Sequence, residues 1–233
     1  RSEYQLLEQT RMHDSIHKLQ QYIHAQREKQ DIDTSKLDKK FSYFEKPGKV
    51  LHIDGDANYL RKSMNVYQVL NVPAEGFYIP EENMSQALYR LLPQVKPDIL
   101  VVTGHDGILK NRKALGIENL SSYKNSGNFV NAVHIARQYE KGFDNLTVIA
   151  GACQSHFEAL LHAGANFASS PGRVLIHVLD PVYIAVKSAF TPIKDTINIY
   201  DVIHHTISGI EGLGGVETKG SYRLGLPILD KNP

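Results

Sequence analysis

Three short apolar runs in this chain each end on a residue that can do chemistry. They are Lys49-Val-Leu-His-Ile-Asp54, Ile99-Leu-Val-Val-Thr103 before Gly104-His105, and Leu146-Thr-Val-Ile-Ala150 before Gly151-Ala152-Cys153. Continuous apolar runs of this length, bounded by turn residues, suit strands buried on both faces. Helical periodicity fills the spaces between them: 57–70, then 82–92 stopped at Pro93, then 128–141 closed by Gly142. Strands alternating with helices imply parallel βαβ units and a doubly wound α/β sheet. All carboxyl ends of a parallel sheet face one edge, where open α/β folds build their sites. Cys153, His105 and Asp54 are therefore expected to emerge together.

The rest of the 233 residues supports one α/β domain with an appendage, since a chain of this length can bury a sizeable core. Leu6, Leu7, Ile16, Leu19 and Ile23 fall on one stripe of an amphipathic helix, and rising charge from Gln26 to Lys40 reads as a linker. This divides the chain into an arm, 1–46, and a domain, 47–233. Further expectations are a strand at 76–79, a polar loop at 110–127 and a helix at 154–163. A strand follows at 173–179, ending at Asp180-Pro181, with helices at 183–189 and 197–207. The five glycines between Gly209 and Gly220 read as a mobile loop.

Composition excludes several classes. A formal charge of +1 does not point to nucleic acid as a ligand. No apolar run approaches a membrane span, and no signal-peptide core is present. One cysteine excludes an intrachain disulfide framework and suits a reducing compartment. The chain opens on Arg1 rather than Met, as a processed product would.

A thiol at a strand end that opens a helix gains from the helix amides and dipole, which favour thiolate. A lone cysteine is ordinarily just a buried small hydrophobe, but small Gly151 and Ala152 before it and polar Gln154 and Ser155 after it fit a nucleophile better. His105, flanked by Gly104 and Gly107, is the matching base. His156, on the helix behind the thiol, ranks second as base, and His134 third.

An apolar block ending in His near Gly, followed by one ending in Ala-Cys, resembles the caspase–hemoglobinase clan of cysteine peptidases. Within that clan the run from Lys49 to Pro227 resembles the YabG family of sporulation-specific peptidases. Val-Leu-His-Ile-Asp-Gly-Asp56, Val-Val-Thr-Gly-His-Asp-Gly107, Gly-Ala-Cys-Gln-Ser-His156 and Phe-Ala-Ser-Ser-Pro171 carry the likeness. It implies a caspase-like three-layer sandwich with a mostly parallel sheet behind an N-terminal helical arm. It also implies a Cys153–His105 dyad without cofactor or metal, and cleavage after Arg in spore-coat and germination proteins. The setting would be the mother-cell cytoplasm or developing coat of an endospore-forming bacterium.

The clan usually has Gly directly after the histidine, where this chain has Asp106. The oxyanion would then be held by amides near Gly107 and of Cys153, and the Asp106 charge would favour protonated His105 and thiolate. Arginine recognition needs a carboxylate. Asp56 is the first choice, Asp54 the second and Asp180 the third; the alternative for the first two is a turn or helix cap. Arg11, Arg27 and Lys40 lie in or near an exposed, linker-like stretch, and self-cleavage after Arg11 or Arg27 is expected in an arm that either covers the cleft or simply packs on the core as a docking helix.

Two rival readings remain at this stage. The strand ending Asp54-Gly-Asp56 also resembles the nucleophile strand of haloacid-dehalogenase-like phosphohydrolases, which need Mg²⁺. A non-catalytic spore-surface binding module is the other. Mg²⁺-dependent phosphatase activity surviving Cys153→Ala would favour the first, and a thiol inert to iodoacetamide the second.

Overall fold

The computed structural model describes residues 3–34 and 43–226. Its strands are β1 (Phe44–Lys46), β2 (Val50–Asp54), β3 (Ala74–Tyr78), β4 (Ile99–Thr103), β5 (Thr147–Ala150), β6 (Phe167–Ser169), β7 (Leu213–Gly215) and β8 (Arg223–Gly225). Six form the central sheet in the order β3-β2-β4-β5-β6-β7, parallel except for β7, while β1 and β8 pair antiparallel apart from it.

Side chains on a strand alternate between faces, and β4 feeds both. Ile99 and Val101 enter one core cluster, Leu100 and Val102 the other. The first cluster is completed by helices α1 (Glu3–Thr34), α2 (Ala57–Val69), α6 (Asp180–Phe190) and α7 (Ile199–His205), through Leu19, Val66, Ile184 and Val202 among others. The second is completed by α3 (Met84–Val95), α4 (Ser126–Tyr139) and α5 (Phe157–Ala163), through Leu88, Phe129 and Leu160. The result is a three-layer α/β sandwich with a mostly parallel sheet behind an N-terminal helix, the class expected. Each fully buried Leu or Phe contributes about 1.5–3 kcal/mol to it.

Several local expectations need correction. The 26–40 linker is helical as far as Thr34; Lys40 lies outside the described residues. Gln, Arg, Glu and Lys are good helix formers, and the charges there find partners on the domain. Arg27 donates both to Glu45 Oε1 at 3.0 Å and to Oε2, and its guanidinium lies over the Phe190 ring. Lys29 meets Asp195 at 2.9 Å. Of the expected apolar stripe, Leu19 and Ile23 are buried, whereas Leu6 and Leu7 are exposed. Pro93 does not stop α3, which runs on to a left-handed cap at Lys96.

The 173–179 segment forms no strand, because β6 already occupies the place beside β5. Its apolar run, Val174-Leu-Ile176 and Val178-Leu179 around His177, reads as a buried strand would, yet its carbonyls and amides serve a loop described below. The glycine-rich stretch is not a free loop either. It supplies the short helix α8 (Gly209–Gly212) and β7. At Gly215 a Cβ would lie 2.4 Å from the Asn166 carbonyl oxygen, so glycine is there for close strand approach.

Candidate active site

Strand order places the site. β4 lies between β2 and β5, with Asp54 paired to Thr103 and Val102 to Ala150. Neighbouring strands are about 4.8 Å apart, so the loops bearing Asp56, His105 and Cys153 leave the same edge side by side.

His105 is held at three points. Its amide donates to Glu81 Oε1 at 2.8 Å, its carbonyl accepts from Asn125 Nδ2 at 2.8 Å, and its ring Nε2 is 2.9 Å from Asp56 Oδ2. A carboxylate only accepts, so Nε2 carries the proton and Nδ1 is the nitrogen left to take one from a thiol. Glu81 reaches the amide by pressing on Gly104, where a Cβ would lie 2.6 Å from its Oε1. The imidazole is 53% exposed and so open to the cavity it lines.

Asp56 does two things. Its Oδ1 caps α2 by accepting from the Asn58 and Tyr59 amides at 2.8 and 3.0 Å, and its Oδ2 meets His105. Partial burial pushes the carboxyl up, but the bonds from His105, Tyr59 and Asn58 outweigh that and hold it below the ordinary carboxylate value. A depressed carboxylate contributes stability above its unfolded value and loses it only as pH falls through the lower folded one. Asp56 therefore stays charged throughout the neutral range.

Cys153 is half-buried, in a turn rather than at a helix start. α5 begins only at Phe157, and Gln154 takes a left-handed φ of 57°. The donor expected from the helix comes instead from the 173–179 loop. The Ile176 amide points to Sγ at 3.4 Å, and the Ile176 carbonyl lies 3.7 Å from it. The same loop is fastened to the turn by Gln154 N donating to the Val174 carbonyl at 3.0 Å.

Cys153 and His105 line one cavity of about 370 Å³. Thr103, Gly104, Asp54 and residues 176–178 line it too, with Lys62 of α2 and Glu8 of α1, which face each other at 3.5 Å. Asp54 is 2% exposed; it accepts from the Thr103 hydroxyl at 2.6 Å and the Asp56 amide at 2.7 Å.

The remaining expected residues lie elsewhere or act otherwise. His156 is buried as the cap of α5, with Nδ1 accepting from Ala159 N and Nε2 3.0 Å from the Glu118 carbonyl, so neither nitrogen faces the cavity. His134 is on the exposed side of α4. Asp180 does not end a strand; it begins α6, 1% exposed, and accepts from the Ile207, Ser208 and His177 amides. Asp106 points away from the imidazole it follows, and it takes up the Gly107 amide at 2.8 Å. The amide named for the oxyanion at Gly107 is thus already engaged. Sequence reasoning missed Glu81 and Ile176: Glu81 precedes the expected 82–92 helix, Ile176 falls inside the expected 173–179 strand, and no local pattern marks either as touching the site.

A sequence model of the family described as YabG peptidase U57 matches residues 1–227. The chain is 48% identical over 214 residues to the sporulation-specific protease YabG of Bacillus subtilis (strain 168), covering 91% of this chain and 73% of that protein. No solved structure matches it. An α/β sandwich with a cavity at its carboxyl edge and this kinship is a peptidase, a hydrolase whose substrates are proteins. The chain belongs to the YabG peptidase family. The phosphohydrolase and the non-catalytic module are thereby set aside. Among the described residues no helix is long and apolar enough to cross a membrane.

Proposed function

We propose that this chain is a sporulation-specific cysteine endopeptidase that cuts spore-coat and germination proteins after arginine, in the mother cell or developing coat. The observation carrying this is that Cys153 and His105 line one cavity while Asp56 fixes the His105 tautomer. The Cys153 thiol gives its proton to His105 Nδ1, and the thiolate adds to the scissile carbonyl. As the C–N bond breaks, His105 protonates the leaving amine. Water then attacks the thioester, giving its proton to His105, and the thiol is restored. The Cys153 amide is the oxyanion donor favoured here, since Gly107 gives its own to Asp106. For the arginine, Asp54 is preferred to Asp56, because it lines the cavity and Asp56 is spent on His105. Mass-spectrometric mapping of the bonds cut in a mixture of spore-coat proteins tests this reading; cleavage with no preference for arginine would refute the specificity.

Asp56→Asn keeps an acceptor for the α2 cap but can present the wrong group to Nε2. We expect kcat to fall about 10- to 100-fold, less than where such a carboxylate is buried, with melting temperature nearly kept. Initial rates and thermal unfolding decide it; an unchanged kcat would remove Asp56 from the mechanism.

Self-processing narrows to Arg11. Arg27 is tied to Glu45 and packed on Phe190, whereas Arg11 is exposed one turn beyond Glu8, which lines the cavity. On storage a new terminus should appear after Arg11, not Arg27, and the Cys153→Ala protein should stay whole by intact mass. Identical truncation of that variant would mean a contaminating protease.

A further inference from the structure

Asp106 interrupts the His-Gly pattern, and its carboxylate makes hydrogen bonds to neither the base nor the thiol. It is the meeting point of three segments. Oδ1 accepts from the Gly107 and Asn125 amides, both at 2.8 Å. Oδ2 accepts a short bond from the Ser126 hydroxyl and one of 2.9 Å from the Ser155 hydroxyl. Each serine then reaches the nucleophile turn: Ser155 Oγ accepts from the Ala152 amide at 2.9 Å, and Ser126 Oγ accepts from the His156 amide at 2.8 Å. Both serines are 0% exposed.

We infer that Asp106 is a positioning residue that fixes the Cys153 turn against the His105 loop, through Ser155 and Ser126, so that thiol and imidazole stay in register. The inference rests on the Cys153–His105 reading. Strand pairing alone stops short of the task. The last paired positions are Thr103 on β4 and Ala150 on β5, and both reactive groups lie beyond them on turns. An ionised carboxylate that accepts four bonds ties those turns together more strongly than neutral partners could. Its charge also sets the direction of the network. With only acceptors at Oδ2, both serine protons must point inward, which leaves each serine lone pair free for an amide of the nucleophile turn.

Asp106→Asn reverses one half of that arrangement. With the amide oxygen on Gly107 and Asn125, its NH₂ faces two hydroxyls that already accept from Ala152 and His156. Both hydroxyl protons then lose their partner in a place without water, a cost that relaxation of the turn relieves. Misplacing reacting atoms by about 1 Å costs on the order of 10²-fold in rate. Asp106→Asn should therefore lower kcat about 10- to 100-fold with KM within about threefold, since the cavity wall is untouched.

The test measures kcat, KM, melting temperature and the pH dependence of Cys153 alkylation by iodoacetamide, for the parent, Asp106→Asn, Ser155→Ala and the double variant. Rates are normalised to titratable thiol. The expected result is a loss of kcat in both single variants, a double variant no worse than either, and an alkylation profile that departs from the parent's in both single variants. A lower melting temperature with kcat per thiol and alkylation profile unchanged in both single variants would overturn the positioning role. Should Asp106→Asn fold poorly, Ser155→Ala alone carries the same readouts, because it removes only the Asp106–Ser155–Ala152 link and leaves the one through Ser126 in place. Cys153→Ala separates the two layers of argument. If it retains activity, the dyad is wrong. If it is inactive while Asp106→Asn and Ser155→Ala match the parent, only the positioning role fails.

Discussion

Peptide hydrolysis should fall by at least about 10⁴-fold in both Cys153→Ala and His105→Ala, the scale on which loss of a nucleophile or its base is felt. Stability should hardly change in either, because neither side chain belongs to the two core clusters and the imidazole is half-exposed. His156→Ala is the informative contrast. That residue is buried, caps α5 and binds the Glu118 carbonyl, so its loss should cost about 1–2 kcal/mol of stability while kcat per folded molecule survives. Initial rates on a fluorogenic arginine peptide, with denaturant unfolding of each variant, settle the matter. A folded but inactive His156→Ala beside an active His105→Ala would invert the assignment of the base.

Asp54→Asn should lower kcat/KM for substrates with arginine at P1 by about 10²–10³-fold, the cost of leaving a guanidinium desolvated beside a neutral amide. The variant is a mild change for the fold. An amide oxygen can still accept from Thr103 or the Asp56 amide, the two bonds that hold this side chain at the end of β2. A panel with arginine, lysine, alanine and aspartate at P1 should show the arginine preference collapsing in Asp54→Asn. In Asp56→Asn every substrate should slow in proportion, because that carboxylate acts through His105. Equal turnover of all four substrates by the parent enzyme would eliminate the acidic pocket altogether.

A strand buried on both faces is mostly apolar, and this made β2, β4 and β5 readable together with the residues at their ends, although β2 also carries buried His52. The pairing of Asp56 with His105 could not be read that way. It depends on β2 and β4 being neighbours, whereas an Asp before Ala57 looks the same locally whether it caps a helix, binds substrate or orients a base. The 173–179 loop imitates a strand because its sequence is a short apolar run, but it meets the nucleophile turn through backbone groups of Val174 and Ile176, and Leu175 is exposed. Glycines at β7 imitate mobility although they permit close contact with β6. Asp106 is the sharpest case. Sequence proximity to His105 suggested an electrostatic effect, but a carboxylate satisfies the donors it can reach, and those lie on Gly107, Asn125, Ser126 and Ser155.

The antiparallel seam between β6 and β7 also orders events during synthesis. Asp54, His105 and Cys153, the residues proposed for the chemistry, all leave the ribosome before Leu213, while one side of the sheet still lacks β7. Until β7 arrives, the amides and carbonyls of β6 form an open edge, which invites pairing with another chain. β1 waits longer still, since its partner β8 is made after β7. A ribosome that stalls before this point would release a sticky intermediate, and the time needed to translate β7 and β8 separates the making of the proposed catalytic residues from completion of the sheet that carries them.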